Sequence, residues 1–157
     1  MSLTTQCLAG GALLLTVGSA ALAWSVEAID SMPIARPKDL RWVPKETLPP
    51  GAYAAVAHGD PHRGSYAFYG RFPSGFRVPP HWHSHDVDVV VLEGAMTIER
   101  AGEERRTIRA SEYFFLPAGM AYTALCPEGC LFLAWGRESF DIHYLRAEDD
   151  PRRAGAK

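Results

Sequence analysis

Between Gly51 and Leu145, short runs of β-branched and aromatic residues are cut by turn residues at close intervals, and no stretch has a helical period. The runs are Tyr53–Ala57, Ser65–Phe72, Phe76–Pro79, Val87–Leu92, Met96–Arg100, Arg106–Ile108, Tyr113–Leu116, Ala121–Cys126, Leu131–Trp135 and Asp141–Leu145. Each is the length of an ordinary strand, and the side chains favour a pleated, half-buried surface. The separators are explicit: His58-Gly59-Asp60-Pro61, Pro73-Ser74-Gly75, Glu93-Gly94, Ala101-Gly102, Pro117-Ala118-Gly119 and Pro127-Glu128-Gly129. About ten short strands without a crossover helix leave an antiparallel sandwich or barrel as the expected fold.

The segment before Gly51 is different. Met1 to Ala23 carries no charged side chain, and Leu8 to Ala23 is apolar and small. That run is shorter than the ~20 residues a bilayer span requires. Ala21-Leu22-Ala23 has the small-x-small form of a signal-peptidase site, so residues 1–23 read as a cleaved signal peptide. The mature chain is then periplasmic or secreted and not membrane-bound. Residues 24–50 are interrupted by Pro33, Pro37, Pro44, Pro49 and Pro50 and read as an arm, with one short strand around Arg41-Trp42-Val43. Residues 51–146 form the barrel, and the charged residues 147–157 form a frayed tail.

With 157 residues, 47% of them hydrophobic and 22% charged, the chain suits one packed domain. A net charge of −2, without a basic stripe, argues against nucleic acid as a partner. No P-loop, dinucleotide fingerprint or nucleophile elbow is present. Signal cleavage removes Cys7 and leaves Cys126 and Cys130, which flank an expected hairpin loop. In an oxidising compartment they form a disulfide or stay as two buried thiols.

The chemistry-bearing cluster is His81-Trp82-His83. Residues two apart on a strand share a face, so both imidazoles can aim at one point while Trp82 faces away. Such a pair suits a divalent ion: Zn, Mn, Fe, Ni or Cu. Gly75 to Gly94, with His81 and His83 inside it, resembles the first motif of the cupins. Ser111 to Tyr122, through Pro117-Ala118-Gly119, resembles the second. The likeness runs from about Gly51 to Pro151. It is closest to small secreted single-domain bacterial cupins, which share the Gly59-Asp60-Pro61 turn, the Pro-Pro-His-Trp-His run and the Asp149-Asp150-Pro151 tail. It implies an antiparallel jelly-roll barrel holding a metal on two His, a Glu and a further His. Here Val87 stands where the Glu would be and Tyr122 where the last His would be, so the metal motif is degenerate.

The candidate third ligands are Asp88 first and His85 second. Strict alternation turns Asp88 away from the face of Val87, Val89 and Val91 unless a bulge reverses it. Tyr122 is the candidate catalytic acid or base. The surface is the expected place for His58, His62 and His143. Two readings follow. One is a metal-dependent enzyme acting on a small organic molecule, with the metal on His81, His83 and Asp88. The other is a non-catalytic binding or sensing module using a pocket lined by Val87, Phe114 and Tyr122. If Asp88 and His85 both face away from the imidazoles, the second is expected. A homodimer is compatible with either.

Overall fold

The computed structural model describes residues 33–154, so the apolar leader and its cleavage site lie outside the described residues. Eight strands follow one another: β1 (Val43–Pro44), β2 (Tyr53–Gly59), β3 (Tyr66–Trp82), β4 (Val87–Glu99), β5 (Arg106–Arg109), β6 (Tyr113–Leu116), β7 (Tyr122–Gly136) and β8 (His143–Tyr144). They pair in the order β1-β2-β3-β7-β4-β5, with β6 also on β4 and β8 on β3. Every ladder is antiparallel. The all-β, antiparallel jelly roll expected from the sequence is the fold. It is a curled sheet with two rims: among the described residues no ladder joins β5 or β6 back to β1.

Ten expected runs become seven strands because three separators are bends within strands, and β1 of the arm is the eighth. Pro73-Ser74-Gly75 lies inside β3, Glu93-Gly94 inside β4 and Pro127-Glu128-Gly129 inside β7. The three strands are neighbours, and their bends fall at one level. Cys130 of β7 pairs with Phe72 on one side and Gly94 on the other. Each strand thus contributes its two halves to two different faces of the roll. Tyr66–Phe72 and Val87–Val91 lie with Leu131–Gly136, whereas Phe76–His81 and Thr97–Glu99 lie with Thr123–Cys126.

Gly94 makes the bend possible. Its φ is +71°, and a Cβ placed there would lie 2.2 Å from the Gly129 carbonyl oxygen. Only glycine meets both conditions without strain. The cysteines accordingly do not close a hairpin. A disulfide joins Cys126 to Cys130 across the bend of one strand, with Cα atoms 5.8 Å apart. Both are buried within the core.

The core fills the space between the faces. Phe72 packs on Phe76 and Phe132, and Tyr66, Phe68 and Phe140 form a second aromatic group. From the arm, β1 pairs with β2, and the Trp42 indole lies under the Arg71 guanidinium, 4.4 Å from the ring centroid. The tail is held as far as it is described. Ala147–Asp149 form a 3-10 turn, Pro151–Ala154 add one helical turn, and Arg152 donates to the Ile142 carbonyl. Charges pair locally here, Arg146 with Asp149 and Arg152 with Asp150.

Candidate functional site

The inward direction of the two histidines depends on a fault in the pleat. Along β3, Tyr66, Phe68, Gly70 and Phe72 are buried in alternation, and Phe76 and Val78 resume the same phase after the exposed bend at Pro73-Ser74-Gly75. Continued unbroken, that period would turn Pro80 and Trp82 inward and His81 outward. Pro79-Pro80 lacks two backbone donors, and the register with β7 shifts between Val78 and His81. The phase changes by one residue, and His81 and His83 become buried at 3% and 6% exposure. Trp82 faces out, as expected, and stacks on His143 with ring centroids 4.2 Å apart.

His81 lies opposite Tyr122 across the β3–β7 ladder, with ring centroids 4.3 Å apart. Its Nδ1–H donates to the Pro79 carbonyl at 2.7 Å. That of His83 donates to the Asp141 carbonyl. A neutral ring with Nδ1 protonated leaves Nε2 as an acceptor. His83 Nε2 therefore accepts from the Tyr122 hydroxyl, 2.8 Å away. Burial, and then the charge His83 would carry, push the His81 pKa down to about 3. Burial lowers that of His83 as well. Both rings are neutral at ordinary pH. Burial also raises the Tyr122 pKa, first among its causes, so the phenol stays protonated and serves as a donor. That weakens the expected role of Tyr122 as a base.

The two candidate third ligands do not join this cluster. Nothing interrupts the alternation of β4 between Val87 and Val91, so Val87, Val89 and Val91 are buried and Asp88 stays on the outer face. There it accepts a hydrogen bond of 2.5 Å from the Tyr113 hydroxyl. His85 lies in the loop after β3, half-exposed, with Nδ1 3.3 Å from Glu138. Val87 occupies the inward place, as the motif count implies, and lines the cavity with Tyr122 and Phe114. Among the described residues no group of three His, Cys, Asp or Glu is disposed to hold a metal ion. Two imidazoles, one already bonded to a phenol, fall short of the three protein ligands of a zinc site. The residues present do not fit the ion.

The cavity measures about 60 Å³, and its walls are mostly apolar, including Phe68, Phe72, Val89, Met96, Leu116 and Phe132. Three contributors escaped the sequence reading. Asp141 fixes the tautomer of His83 through its carbonyl, while its carboxylate accepts from the Ser84 amide at 2.8 Å. His143 is not a lone surface histidine, since its Nε2 lies 3.0 Å from Ser84 Oγ and 2.9 Å from Asp141 Oδ2. Serine and carboxylate meet the same ring nitrogen, so the trio cannot relay a proton through the imidazole as a catalytic triad does. Lys45, from the arm, lines the cavity. Only β8, pairing with His81 and Trp82, brings His143 here, and no spacing in the sequence signals that.

The polyketide cyclase RemF of Streptomyces resistomycificus has a similar fold, at TM-score 0.64 and 16% identity over 80% of this chain and 94% of that one. An RmlC-like cupin of Shewanella frigidimarina NCIMB 400 superposes at TM-score 0.56 and 19% identity over 69% and 93%. KdgF of a Halomonas species does so at 0.54 and 22% over 66% and 93%. At these identities the likeness is one of fold. No curated protein matches the sequence. Residues 30–139 match the family described as the ChrR cupin-like domain, and the match begins within the arm. The chain belongs to that family of cupins.

Proposed function

We propose that this chain is an exported ligand-binding cupin, whose interior takes a small organic molecule without a metal ion. The observation that carries the reading is the placement of Val87 inward and Asp88 outward. This leaves an apolar cavity with a few convergent polar atoms, the usual composition of a small-molecule site. His81 Nε2 offers a lone pair to a ligand donor, and the Tyr122–His83 pair is neutral. Metal content and zinc titration test the reading. The wild type, His81→Ala and His83→Ala should bind zinc equally and weakly. One tight zinc per chain, lost in both variants, would sink it.

One observation favours the metal-dependent enzyme: each Nδ1–H is anchored on a carbonyl, the tautomer in which Nε2 ligates. In that reading the His83–Tyr122 hydrogen bond must break to free the ligand. Export rests on the leader and on the Cys126–Cys130 bridge, which suits an oxidising compartment. N-terminal sequencing of the extracytoplasmic protein should begin at Trp24, and an intact Met1 in the membrane fraction would overturn export.

A further inference from the structure

Among the described residues, Lys45 is the one lining the cavity that carries a charge at neutral pH, since both histidines there are neutral. It follows β1 directly. Its amide donates to the Ala52 carbonyl at 3.0 Å, and its carbonyl accepts from the Leu48 amide at 3.0 Å. The backbone that carries it is therefore fixed against β2. Burial lowers the pKa of its ammonium, and among the described residues it forms no ion pair with a carboxylate. Asp60, which lines an outer groove together with Lys45, is engaged by the His62 amide at 2.9 Å and by Arg63 at 3.6 Å.

Lys45 also lines a second, outer groove of about 210 Å³, and Ala54, Phe68 and Phe140 are common to both spaces. Lys45 thus stands on the partition between the groove and the interior. A half-buried ammonium without a counter-charge is costly, and an anion arriving there removes the cost. The interior beyond it cannot take the anion, because its walls are apolar and its histidines uncharged. It can take a hydrocarbon end, though a short one. At about 60 Å³ it is well below the roughly 150 Å³ that holds a benzene molecule.

We propose that Lys45 recognises the carboxylate of a short-chain carboxylic acid, with the carboxylate at the partition and the hydrocarbon end in the interior. This rests on the reading that the interior binds a small molecule. The test is an NMR titration of the mature protein with straight-chain acids from acetate to hexanoate and with the matching primary amides. It is run on the wild type, Lys45→Met and Lys45→Arg. The wild type should prefer an acid over its amide by about ten- to hundredfold, the range of a hydrogen bond to a charged group. Lys45→Met should bring the acid to the affinity of the amide, and Lys45→Arg should restore the preference. A preference that survives in Lys45→Met overturns the assignment to Lys45. Equal binding of acid and amide by the wild type overturns the ligand class and leaves the binding pocket standing. If neither series shifts the His81, His83 or Tyr122 resonances, the pocket reading fails and takes the inference with it.

Discussion

His81 and His83 are held neutral at a depth where a charge would be expensive, and this has a definite consequence in acid. In the unfolded chain each titrates near 6.5. In the folded chain His81 titrates near 3. Between those values the unfolded state binds more protons, so stability rises with pH and falls on acidification. From His81 alone the slope is about 1.4 kcal/mol per pH unit across that window, and above pH 7 it vanishes. Denaturant unfolding at a series of pH values should show this slope, and His81→Gln should reduce it. An unchanged slope in His81→Gln means that His81 is not buried neutral. Tyr122→Phe should cost about 1–3 kcal/mol, because it leaves the buried His83 Nε2 unpaired. These residues were legible in the sequence because His-x-His and the Pro-Ala-Gly spacing are local patterns. Asp141 and His143 were not, because each reaches the site through a pairing far along the chain, and Lys45 was not, because a lone lysine beside a short arm strand has no motif spacing to mark it.

Among the elements, the bends were the hardest to read. Pro-Ser-Gly, Glu-Gly and Pro-Glu-Gly have the composition of hairpin turns, and composition does not separate a chain that reverses from one that only changes face. The difference lies in the partner: β3, β4 and β7 bend together because their ladders cross at Phe72, Cys130 and Gly94. Alternation was a better guide. It placed Asp88 outward, though alternation alone does not carry the phase of β3 past the register shift at Pro79-Pro80. Two substitutions separate the contributions to the corner. Gly94→Ala should destabilise by more than ~2 kcal/mol, since it adds a left-handed alanine and a clash with the Gly129 carbonyl. Reducing Cys126–Cys130 should cost about 2 kcal/mol or less, because the loop closed is very short. Denaturant midpoints with and without reductant measure both. A Gly94→Ala chain as stable as the wild type would show that the corner tolerates a side chain.

In the molecule as a whole, antiparallel all-β architecture was plain in the sequence, and where the sheet leaves itself open was not. The rims follow from the long-range order of the strands, which short runs do not encode. The shared bends have one more effect. Three strands belong to both faces at once, so neither face can detach without breaking hydrogen bonds that hold the other. A sandwich built from separate strands has a seam along which one layer can peel; this roll has none through its middle. Exchange of the β3, β4 and β7 amides on both sides of the bends should therefore occur in a single opening event, with one free energy and one denaturant dependence. The short strands β1, β5, β6 and β8 should open at lower cost. The pocket lies between the two coupled halves, so a molecule bound there should slow exchange beyond the bends as much as beside His81, spreading its stabilisation across the molecule rather than around the ligand.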